Sequence, residues 1–71
     1  MAFGEALKSL REERGVTQDK LAQYLHVNRA TIAGYEVKGK KPRYETLIKL
    51  ADYFDVSIDY LVTGEENRLG I

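Results

Sequence analysis

A chain of 71 residues holds one domain, and with no Cys and a single His neither disulfides nor a metal site can staple it. Eleven Lys and Arg balance eleven Asp and Glu, so no uniform charge drives it to a partner. No apolar run is long enough to span a membrane and no signal-peptide pattern is present, so a soluble cytoplasmic protein is expected.

The first predicted helix runs Ala2 to Arg14, with Phe3, Leu7 and Leu10 on its core side and Gly15 at its C′ position. Thr17 is a good N-cap for the second, Gln18 to Leu25, which places Leu21, Ala22 and Leu25 on one face. His26 breaks that run, Val27 supplies an apolar plug, and Asn28 caps a third helix from Arg29 to Val37. Pro42 separates the third helix from a fourth, Tyr44 to Phe54, with Leu47, Leu50, Ala51 and Phe54 in register. Ser57 caps a short fifth, Ile58 to Val62, ended by Thr63-Gly64. Residues 65–71 carry no pattern and are expected to form a loose tail or the start of a linker, leaving 1–64 as the domain. Strand signals are lacking, so the fold class is all-α with five helices.

Helices two and three, joined by a tight turn, have the organisation of a helix-turn-helix, whose second helix enters the DNA major groove. At about 100° per residue, Asn28, Thr31, Ile32 and Tyr35 share one side of the third helix and pack inward. The other side holds Arg29, Ala30, Ala33, Gly34 and Val37, where a solvated helix would carry Glu, Lys and Gln. Gly34 costs about 1 kcal/mol relative to Ala in a helix interior. So flat a face suits close approach to a surface, with Arg29 as its one long donor. An equally simple alternative is that Ala is there only as a good helix former.

Charge is polarised along the chain. From Asn28 to Lys49 six basic residues (Arg29, Lys38, Lys40, Lys41, Arg43, Lys49) face two acidic ones (Glu36, Glu45), a net of +4. From Ala51 to Glu66 five acidic residues and no basic ones give −5. The basic cluster follows the third helix directly, which favours phosphate contact there.

Thr17-Gln18 with Leu21-Ala22, then Ile32, Tyr35-Glu36, Gly39-Lys40 and Pro42, resembles the phage-repressor and Cro-like helix-turn-helix family, the Xre group. Leu47 to Ala51 and Val56 to Leu61 continue the likeness, which covers about Phe3 to Gly64. The resemblance implies a compact five-helix, lambda-repressor-like DNA-binding domain. It implies a transcriptional regulator, foremost a repressor, bound to a two-fold operator as a homodimer at least when on double-stranded DNA. It carries Gln18 into a phosphate contact at the N-terminus of helix two, where the helix dipole also favours an anion.

By the same resemblance, Arg29, Ala30, Ala33 and Gly34 match positions that face base edges; Asn28 and the basic residues Lys38, Lys40, Lys41 and Arg43 complete the expected DNA-binding set. Gly34 lacks the long polar side chain often found at its position. Relatives pair the Glu at position 36 with an Arg at the place of Arg11, so a shielded, bidentate Arg11–Glu36 salt bridge is expected. Two positions depart from the pattern. His26 stands where the turn usually has Gly, a position of positive φ, with its imidazole expected near the helix-two carbonyls. Arg43 stands where a Ser or Asp usually caps helix four.

Two other readings stay open. The chain can be the DNA-binding part of a longer regulator, or a protein-interaction module such as an antitoxin or adaptor working through Tyr53, Ile58, Tyr60 and Val62. Ile58, Tyr60 and Val62 are also the expected dimer surface. No enzyme is expected: there is no nucleophile-base pair or ligand cluster, and Gly39-Lys40-Lys41 lacks the glycine and strand context of a P-loop. No cofactor, metal or small-molecule ligand is implied.

Overall fold

The structure, a computed structural model, describes residues 3–64. The expected loose tail and the Ala2 start of the first helix lie outside the described residues. Five helices follow in order, α1 (Phe3–Glu13), α2 (Gln18–Leu25), α3 (Arg29–Val37), α4 (Tyr44–Phe54) and α5 (Ile58–Thr63), with no strand among the described residues. Arg14 falls in the turn after α1 and Thr63 extends α5, one-residue differences from the sequence reading.

One junction recurs three times and explains why the helices break where they do. Gly15, His26 and Asp55 each adopt positive φ (66°, 60° and 57°) just past a helix end. The next residue is Val each time, and its N–H donates five residues back: Val16 to Arg11 O, Val27 to Ala22 O, Val56 to Ala51 O, at 2.9–3.0 Å. These bonds close the helix C-termini as Schellman motifs. Thr17, Asn28 and Ser57 follow in extended conformation, and each side chain accepts from the N–H three residues on at 3.0 Å. An N-cap of this kind contributes about 1 kcal/mol. Arg43 makes no such side-chain bond, so α4 starts without that help.

The core takes a fully buried side chain from every helix: Leu7, Leu21, Ile32, Leu50 with Phe54, and Leu61. α1 packs on α3 and α5, α2 on α3, and α4 on α5. Ile58 and Tyr60, expected as surplus apolar residues, are half-buried against this core, whereas Val62 is exposed. Two contacts fix α1 in place. Gly4 lies so close to the C-terminal end of α3 that an added Cβ would sit 2.6 Å from Tyr35 O and 2.7 Å from Glu36 O, so no side chain fits. Arg14 donates from Nη2 to Phe54 O at 2.7 Å and stacks over the Phe54 ring, tying the end of α1 to the end of α4.

His26 caps α2 with its backbone N–H, which bonds to Ala22 O and Gln23 O, and not with its imidazole, which is exposed. The side chain is therefore dispensable. Left-handed backbone costs a non-glycine residue about 1–2 kcal/mol, and glycine's extra unfolded-chain entropy returns about 0.4–1 of that. His26→Gly is expected to leave the melting temperature unchanged or to raise stability by up to about 1 kcal/mol. A thermal melt checks it, and clear destabilisation would mean that the imidazole makes a stabilising contact.

Candidate nucleic-acid interface

The two helices of the motif are held by a polar clamp. Arg11 on α1 donates from Nε to Glu36 Oε2 at 2.7 Å and from Nη2 to Glu36 Oε1 at 3.1 Å, the bidentate pair expected. The carboxylate is all but sealed, with the Glu36 side chain 1% exposed and that of Arg11 12%. Arg11 Nη1 also donates to Val16 O at 3.0 Å, so each guanidinium nitrogen has an acceptor. The hydrogen bonds to Glu36 push the Arg11 pKa up, against the opposing effect of burial. Gln18, at the first position of α2, adds a third bond to the carboxylate, Nε2 to Glu36 Oε1 at 3.1 Å. The clamp thus joins three helices, where the sequence reading had two.

Around the clamp opens a groove of about 510 Å³ lined by Lys8, Arg11, Thr17, Gln18, Asp19, Arg29, Glu36 and Val37. It brings the N-terminus of α2 beside Arg29 at the start of α3. Lys8 was missed by the sequence reading, although its place one turn before Arg11 on α1 was the available signal. Asn28 is exposed, and its Oδ1 is engaged by Thr31 N at 3.0 Å and Thr31 Oγ1 at 3.1 Å. Arg29 and Ala30 are exposed, Ala33 is half-buried, and Val37 stands 77% exposed at the far end of the same face. Lys38, Lys40, Lys41 and Arg43 are all exposed in and around the loop after α3.

Gly34 is a correction to the flat-face reading, because it is buried and not open to a groove. The helical wheel treats everything beyond the helix as solvent, but here the following loop turns back. Gly39 takes φ of +70°, and the Gly34 carbonyl accepts from both Lys38 N at 3.0 Å and Lys40 N at 3.3 Å. Position 34 is thereby covered by the Lys40 side chain.

The sequence and the fold are similar to those of known proteins. Residues 7–61 match the helix-turn-helix family. The chain is 40% identical over 66 residues to YqaE of Bacillus subtilis, an uncharacterized HTH-type transcriptional regulator, covering 93% of this chain and 57% of that protein. It is 39% identical over 66 residues to the HTH-type transcriptional activator BcrR of Enterococcus faecalis, covering 93% of this chain and 32% of that one. The chain thus spans only part of the length of these relatives, 57% of one and 32% of the other. The P22 c2 repressor protein, solved in complex with a synthetic operator, superposes with a TM-score of 0.83 at 26% identity over 92% of this chain and 98% of that chain. Five helices, with the second and third joined by a tight turn, and a family match across most of the sequence place this chain in the helix-turn-helix family.

Proposed function

We propose that this chain is the DNA-binding domain of a transcriptional regulator, foremost a repressor, that lays α3 in the major groove of a two-fold operator as a homodimer. One observation carries the reading: on the outward face of α3, beside Ala30, Ala33 and Val37, Arg29 is the one long polar side chain, and four exposed cations flank it at Lys38, Lys40, Lys41 and Arg43. Such a face admits the floor of a groove while the loop meets the phosphates on its wall. Arg29 would donate two hydrogen bonds to guanine O6 and N7, and Ala30 and Ala33 would pack on thymine methyl groups. Gln18, whose second amide hydrogen is not taken by Glu36, and Lys8 beside it would hold a phosphate at the α2 N-terminus. The repressor that superposes on this chain is bound to operator, which supports the same placement here.

Dimer contact would lie near α5 and α4, where Val62, Ile48 and Tyr44 are exposed. No helix among the described residues is long and apolar enough to cross a membrane, in keeping with action on DNA in the cytoplasm. Selection of bound sequences from a random duplex pool tests the reading. Enrichment of a two-fold motif is the expected result, and a pool that stays random overturns it. Arg29→Ala should relax preference at one base pair per half-site, a discrimination worth about 1–3 kcal/mol. Lys38→Ala should weaken binding to all duplexes alike. A reporter placed behind the selected site should be silenced. Activation instead would keep the DNA contact and reverse the sign of regulation.

A further inference from the structure

Gly34 is an expensive choice for the middle of a nine-residue helix, and its surroundings give the reason. A Cβ added there would lie 3.3 Å from Lys40 Cδ and 3.9 Å from both Cγ and Cε. Three successive methylenes of Lys40 therefore lie over the bare backbone of α3. The Gly34 carbonyl holds the same lysine by its main chain, accepting from Lys40 N at 3.3 Å. Lys40 itself is exposed, so its stem is seated while its ammonium stays in water. Position 34 is one turn beyond Ala30 and next to Ala33, so the seated lysine runs along the edge of the outward face.

Resting on the DNA reading above, we infer that Gly34 is a positioning residue: its missing side chain is the seat that delivers the Lys40 ammonium to the edge of the recognition helix. Lys40 there replaces the donor that α3 itself lacks at position 34. A seated lysine loses less side-chain freedom on binding than a free one, which is the advantage of preorganisation. Its target is an oxygen or nitrogen acceptor of duplex DNA, either a phosphate oxygen or the O6/N7 edge of a guanine.

The test is a cycle of Lys40→Ala, Gly34→Val and the double variant, titrated on selected and random duplex at several salt concentrations. Each single variant should weaken binding and, where the acceptor is a phosphate, lower the salt slope by about one per protomer. The double variant should bind no worse than Lys40→Ala alone. A loss shared by all duplexes identifies the phosphate, and a loss of preference at one base pair identifies the guanine. Gly34→Ala, which asks Lys40 to shift by only a few tenths of an ångström, should lie between wild type and Gly34→Val and melt no lower than wild type. Without DNA, nuclear Overhauser contacts from the Lys40 methylenes to the Gly34 α-protons should be present.

Wild-type affinity in Gly34→Val would overturn the inference. So would an equal loss from Gly34→Val in the Lys40→Ala background, which would mean that the Gly34 backbone itself meets DNA. Absence of the proton contacts would remove the seat. If the contacts are present but wild type binds no duplex, the DNA reading fails and the seat has another purpose.

Discussion

Arg11→Met is expected to cost about 3–5 kcal/mol of folding stability, because it strands a carboxylate that the fold has closed off from water. Glu36 is 1% exposed and its two strongest partners are the Arg11 nitrogens at 2.7 and 3.1 Å. Gln18 would remain as a donor, a neutral amide against a full charge. Glu36 also lies in the last turn of α3, where the helix dipole is negative and an acidic side chain is unfavourable by about 0.3–1 kcal/mol without a cation. Domains hold only about 0.05–0.15 kcal/mol per residue, so a loss of this size leaves a chain of 71 close to unfolding. At about 4–8 °C per kcal/mol, the melting temperature should fall by roughly 12 °C or more.

Glu36→Gln should fall in the same range by stranding the Arg11 charge, moderated by that side chain's 12% exposure. Arg11→Met combined with Glu36→Leu should recover much of the loss, since no charge is then buried. Denaturant melts of these proteins, with Glu36→Leu alone added to complete the cycle, measure the coupling directly. An unchanged melting temperature for Glu36→Gln would show that the clamp contributes no stability.

Helix number and limits were legible because local chemistry marks them. Thr17, Asn28 and Ser57 announce starts, and Gly15 and Gly64 announce ends. His26 was legible as a left-handed stop through the resemblance, since it stands where the turn usually has Gly. Asp55 was missed, although Asp55-Val56-Ser57 repeats His26-Val27-Asn28 in kind: left-handed residue, Val, cap. The contacts that escaped all depend on how elements approach in space. Gly4 against the α3 carbonyls, Arg14 on Phe54 O and Gln18 on Glu36 join residues 18 to 40 positions apart, or backbones whose proximity no periodicity encodes. Gly34 escaped because a wheel has no loop in it. The pair Arg11–Glu36 was legible only through resemblance, since a spacing of 25 residues carries no local signal.

Binding to any duplex should collapse with salt, by about 10³–10⁵ in affinity between 50 and 200 mM if a dimer makes about 6–10 phosphate contacts. Lys38, Lys40, Lys41 and Arg43 from each protomer supply enough cations for that number. The formal net charge of +0 looks like an objection, because a neutral protein gains nothing from overall attraction to a polyanion. Range decides the matter. Charges in 0.1 M salt are screened beyond about 10 Å, and the shortest principal extent of this molecule is 21 Å. Phosphates against the loop after α3 therefore respond mainly to its local positive charge and only weakly to acidic groups more than a screening length away.

The salt slope counts counterions released at the contact and is blind to total charge, which makes it the discriminating measurement. Fluorescence anisotropy of a labelled random duplex, titrated at four salt concentrations, should give a steep straight line on logarithmic axes. Lys41→Ala should reduce its slope by about one per protomer. A flat line would mean that no phosphates are neutralised, and the basic loop would then have to be explained by a partner other than DNA.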